Sequence, residues 1–90
     1  MNLIMTPKEY ALTIAANLKN ARKRKKLSQT ALAAKAGVSY GSLKRFEQTG
    51  EISLESLLKI AVVLNVAEPF AELFKPTEIK SIEEIINDEV

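Results

Sequence analysis

The sequence contains neither cysteine nor histidine. Without cysteine there is no disulfide framework and no thiolate to act as nucleophile or ligand. Without histidine, the commonest general base and the commonest metal ligand are missing together. No Gly-rich phosphate loop and no HExxH pattern is present either. An enzyme, a metal site and a bound cofactor are therefore not expected. Glycine and proline number three each, too few for a collagen-like chain or a low-complexity linker. No apolar run approaches the roughly 18 residues that cross a membrane. Met1–Met5 has neither the basic region nor the apolar core of a signal peptide, so a cytoplasmic location without membrane contact is expected. No stretch alternates apolar and polar residues for long enough to make a strand.

What remains is a chain of 90 residues, 47% hydrophobic and 27% charged, which suits one small folded domain with short arms. Its net charge of +2 conceals a division. Residues 1–50 carry ten Lys/Arg against two acids (Glu9 and Glu47), a net of +8, whereas residues 51–90 carry three Lys against nine acids, a net of −6. Such asymmetry implies a basic face for a polyanion and an acidic region with another task. The densest basic stretch is Arg22, Lys23, Arg24, Lys25 and Lys26. By itself it is equally compatible with a solvated helix end, where cations favour the negative end of the helix dipole.

Capping chemistry divides the chain into helices. Thr6 can cap, Pro7 fits a first helical position and Glu9 completes a capping box. Tyr10, Ile14, Leu18 and Ala21 then recur at helical spacing, which predicts a helix over about 7–25. Ser28 caps a short second helix with Leu32, Ala33 and Ala36, closed by Gly37. Ser39 caps a third, with Leu43 and Phe46 on its inner side and Thr49-Gly50 at its end. Ser53 caps a fourth, where Leu54, Leu57, Leu58, Ala61 and Leu64 face inward and Asn65 terminates. Glu68-Pro69 opens a fifth, bearing Phe70, Leu73 and Phe74, before Pro76 stops it. Ser81 and Glu84 form one more capping box ahead of Ile82, Ile85 and Ile86.

The segment 29–48 reads as helix, tight turn around Gly37-Val38-Ser39, helix. Ala33 is small where the helices must approach, Gly37 permits the turn, and Val38, Leu43 and Phe46 form an apolar wedge that fixes a steep crossing. This is the sequence logic of a helix-turn-helix, whose second helix enters the major groove. The ordered set Leu27-Ser28-Gln29, Leu32-Ala33, Gly37-Val38-Ser39, Leu43, Phe46-Glu47, Gly50 and Leu57-Leu58-Lys59-Ile60-Ala61 resembles the phage-repressor-like (Xre/Cro) helix-turn-helix family over roughly residues 10–66. The resemblance implies an all-α, compact five-helix DNA-binding domain, placed over 1–76; the residues beyond it, 77–90, read as a short acidic amphipathic tail. It also implies a sequence-specific transcriptional regulator that works as a dimeric repressor on a pseudo-palindromic double-stranded operator. Gly41 and Tyr40 depart from the polar readers commoner at those places, which bears on the DNA sequence recognised.

Leu43 and Phe46 belong to the core, and the opposite face of the third helix carries Tyr40, Gly41, Lys44, Arg45 and Gln48. An Arg at that place can pair with guanine O6 and N7 in bidentate fashion. Tyr40 has two readings, contact with a thymine methyl or phosphate, or packing on the turn. Ser39 and Ser42 can cap the helix and bond phosphate at once. Gln29 and Thr30 open the second helix, whose amide-rich start suits phosphate; the resemblance implies that Gln29 also braces the reading helix. Arg22, Arg24 and Lys25 are expected to flank the same groove. Glu47 reads as structural, paired with a cation of the first or second helix.

Residues 77–90 carry Ile79, Ile82, Ile85, Ile86 and Val90 beside Glu78, Glu83, Glu84, Asp88 and Glu89. Val62 and Val63 also look surplus to the fourth helix. These apolar residues admit a fold back onto the domain, a homodimer interface or a separate protein partner. Small size, lack of an effector domain and the extra tail are similar to antitoxins of the HipB-like type, which pair with a toxin and repress their own operon. A protein-binding module with only incidental DNA affinity is the alternative from another functional class.

Overall fold

The structure, a computed structural model, describes residues 4–76. Among these residues there are four α-helices and no strand: α1 (Pro7–Arg24), α2 (Gln29–Ala36), α3 (Tyr40–Thr49) and α4 (Leu54–Val63). A 3₁₀ helix, Glu68–Glu72, follows.

Each α-helix begins at the hydroxyl that the sequence offers. Thr6 Oγ1 accepts from the Glu9 N–H at 3.1 Å, and Glu9 Oε1 accepts from the Thr6 N–H at 2.8 Å, so the capping box closes. The bond from the Thr6 N–H, with the Thr6 hydroxyl second, holds the Glu9 carboxyl below its usual range. Ser28, Ser39 and Ser53 accept in the same way from Ala31, Ser42 and Ser56. The ends are equally local. Gly37 closes α2 with φ 71°, and the Val38 N–H reaches back to Ala33 O at 3.1 Å. Asn65 adopts φ 61° after α4, a conformation that asparagine tolerates better than most residues.

The core consists of Ala15, Leu18 and Ala21 of α1, Leu32 and Ala33 of α2, Leu43 and Phe46 of α3, and Leu57, Ile60, Ala61 and Leu64 from α4 and its end. This differs from the expected stripe on α1. Tyr10 is 53% exposed and Ile14 44% exposed, while Ala15 is buried. The choice is set by Gly50. A Cβ built there would lie 2.8 Å from the backbone carbon and the Cβ of Ala11, so α1 meets the end of α3 through its small-residue side. On α4, Ile60 is fully buried, Leu58 is half-buried, and Leu54 stands exposed on the first turn.

The fifth helix is shortened. Its five residues form a 3₁₀ turn, with no side chain capping it and Pro69 in its first turn. Pro76 disfavours the α conformation at Lys75, and Phe74 at φ 69° has already left the helical path. Phe70 alone of the three expected apolar residues packs on the core, while Leu73 and Phe74 are exposed.

Candidate nucleic-acid interface

The first and third helices are locked together by a buried ion pair. Arg22 Nε donates to Glu47 Oε2 at 2.8 Å and Arg22 Nη2 to Glu47 Oε1 at 3.0 Å, a two-pronged pairing of α1 with α3. Arg22 Nη1 donates to Leu27 O at 2.8 Å, and Gln29 Nε2 donates to Glu47 Oε1 at 2.9 Å. The two charged side chains are only 9% and 3% exposed. Burial by itself would raise the Glu47 carboxyl. The bonds from Arg22 and Gln29 and the positive charges of Arg22 and Lys19 outweigh it, so the group sits below the usual carboxylate range. One carboxylate thus ties α1, the start of α2 and α3 into a fixed frame.

Arg22 is therefore not where the sequence placed it. Its guanidinium turns inward and every nitrogen has a protein acceptor, so it is a brace of the fold and not a free cation beside the groove. Glu47 has the pairing expected of it, with a cation from the first helix. Gln29 bridges to α3 through that same carboxylate, and Thr30 beside it is exposed.

With Glu47 turned in, α3 shows no acid of its own on its outer face. Ser39, Tyr40, Gly41, Ser42, Lys44, Arg45 and Gln48 are all exposed, whereas Leu43 and Phe46 are buried beneath them. Ser39 Oγ caps the helix and donates to Ser42 Oγ at 2.8 Å. Lys44 Nζ stands 5.8 Å from the centre of the Tyr40 ring, within cation–π range, and the tyrosine is 45% exposed. Around Gly41 a Cβ would meet nothing within 4 Å, so the fold itself does not require glycine at that place.

Arg24 and Lys25 are exposed, but they line a crevice of about 440 Å³ with Ala21, Leu64, Asn65 and Val66, between the ends of α1 and α4. The structure therefore brings them beside the end of α4. Val62 is exposed at 66%, while Val63, expected with it at an interface, is half-buried against its own core. Ile79, Ile82, Ile85 and Ile86 lie outside the described residues. One participant is new. Glu51 Oε1 accepts from Arg45 Nη2 at 2.6 Å. The sequence signal for it was the reversal at Gly50, which turns the next acid back toward α3.

Two helices joined by a glycine turn, the second presenting the exposed cations Lys44 and Arg45 over an apolar underside, define the helix-turn-helix class of DNA-binding domains. A helix-turn-helix family model matches residues 18–70, and the chain belongs to that phage-repressor-like (Xre) family. No curated protein matches the chain. Among the described residues, no helix is long and apolar enough to cross a membrane.

Proposed function

We propose that this protein is a cytoplasmic, sequence-specific transcriptional repressor that binds a pseudo-palindromic operator as a homodimer and blocks polymerase sterically. The observation that carries the reading is the outer face of α3, where Lys44 and Arg45 stand exposed while the acid of the helix, Glu47, is withdrawn into the Arg22 brace. Lys44, Gln29, Thr30 and the Ser39 and Ser42 hydroxyls serve phosphates, which fix register. Arg45, Gln48 and Tyr40 serve base edges and the thymine methyl. The dimer follows from the length of α3. Ten residues touch only a few base pairs, so two copies about 34 Å apart are needed to read successive major grooves on one side of the duplex.

A narrower form of the proposal is an antitoxin that represses its own operon. The acidic, isoleucine-bearing sequence 77–90 supports it, as a segment unsuited to DNA and suited to a protein partner. Titration of a labelled duplex from the gene's own upstream region, at about 50 to 200 mM salt, tests the main reading. Affinity is expected to fall steeply as salt rises, with a footprint of two related half-sites. A single short asymmetric footprint contradicts the dimer. Absence of duplex binding at low salt leaves the protein-binding module as the function. Co-purification with the product of an adjacent gene tests the antitoxin form.

A further inference from the structure

Arg45 is the best-placed base reader on α3, yet its guanidinium is already engaged by the Glu51 carboxylate at 2.6 Å, with both side chains more than half exposed. The meeting depends on Gly50, which reverses the chain with φ 78°. It is also tied by bonds other than the ion pair. Thr49 Oγ1 donates to Arg45 O at 2.8 Å and accepts from the Glu51 N–H at 3.2 Å. The Glu51 backbone is thereby fastened to the turn of α3 that carries the guanidinium. Together the two side chains border a crevice whose other walls are Ser42, Ile52, Ser53 and Ser56, with no second acid among them.

We infer that Glu51 is a specificity-determining residue that masks Arg45 on unrelated DNA and yields it to a matching base edge. The inference rests on the DNA-binding reading above. Against a phosphate, Arg45 exchanges one charge-assisted bond for another and leaves Glu51 facing the polyanion, so little is gained. Against a guanine, O6 and N7 accept from the guanidinium together, and the freed carboxylate can accept from a cytosine N4 amino group. Both members of the broken pair are then satisfied. The pair weakens sticking more than it weakens reading. An exposed ion pair contributes little to folding, so substitutions here report on recognition.

The test uses the full chain, a labelled random-sequence duplex and salt from about 50 to 200 mM. It compares the wild type with Glu51→Gln, Arg45→Ala and the double variant. Glu51→Gln is expected to tighten random-duplex binding about five- to tenfold near 0.1 M salt. It should also steepen the slope of log affinity on log salt by about 0.9, the signature of one gained phosphate contact. In the Arg45→Ala background the same substitution is expected to change affinity by less than about twofold, because the cation it would release is gone. Equal tightening in both backgrounds overturns the inference, since simple charge repulsion then suffices. No change in either background overturns it as well, while duplex binding itself stands. Failure of the wild type to bind any duplex overturns both this inference and the reading beneath it.

Discussion

Removing either member of the Arg22–Glu47 pair is expected to destabilise the fold severely, and the structure sets the magnitude. In a Glu47→Ala protein, two guanidinium N–H groups of Arg22 and the Gln29 amide lose their shared acceptor, inside a site where the pair is only 9% and 3% exposed. Breaking a buried pair by deleting one partner costs about 3–5 kcal/mol, because a charge stays buried without compensation. A domain the size of the 73 described residues (4–76) has a total stability of roughly 4–11 kcal/mol at 0.05–0.15 kcal/mol per residue. Either single variant should therefore stand near the edge of unfolding. In urea titrations followed by circular dichroism, the midpoint should fall by at least about 1 M, given slopes of roughly 1–3 kcal/mol per M. The apolar double variant Arg22→Met/Glu47→Leu should recover much of the loss, since an apolar pair of similar volume pays no desolvation of charge. An Arg22 that served DNA phosphates from the surface would behave otherwise, its substitution staying within about 0.5 kcal/mol. A midpoint that does not move in Arg22→Ala refutes the reasoning.

Glycine substitutions at two places should act in opposite directions. Gly50→Ala forces a Cβ into the Ala11 backbone at 2.8 Å with φ 78°, and should cost at least about 1–2 kcal/mol. Gly41→Ala enters open space on a helix and should stabilise by roughly 0.5–1 kcal/mol, readable as a higher melting temperature. Acid should also weaken the fold through Glu47. Its folded-state pKa lies below the unfolded value of 4.5, so its stabilisation is complete above that pH and is lost as pH falls through the lower folded value. Stability curves from pH 6 downward, wild type against Glu47→Gln, should show the steeper acid decline only in the wild type.

Most of the helical frame was legible because capping is local chemistry. Thr6, Ser28, Ser39 and Ser53 each bond an amide three residues on, and Gly37, Gly50 and Asn65 each take the left-handed turn that ends or follows a helix. The two faces of α3 were legible for the same reason, since Leu43 and Phe46 lie one turn apart. The inward stripe of α1 was not. Helical spacing admits both Tyr10–Ile14 and Ala11–Ala15, and only the contact with Gly50, some forty residues away, selects the second. Arg22 looked like its four basic neighbours because its partner is 25 residues distant. The fifth helix looked complete because apolar spacing does not register the constraint of Pro69 and Pro76 on so short a segment. That Arg24 and Lys25 share a crevice with the end of α4 was not legible either, since Leu64–Val66 lie some forty residues further along the chain.

The central claim, that the outer face of α3 reads base sequence, is met most directly by selecting bound duplexes from a random pool with the wild type and with Arg45→Ala. The wild type is expected to enrich a pseudo-palindrome with half-sites one helical turn, about 34 Å, apart. Arg45→Ala should lose preference at one position in each half-site, at about 1–3 kcal/mol, and keep it elsewhere. An enriched motif identical for the two proteins, or no enrichment by the wild type, contradicts the claim.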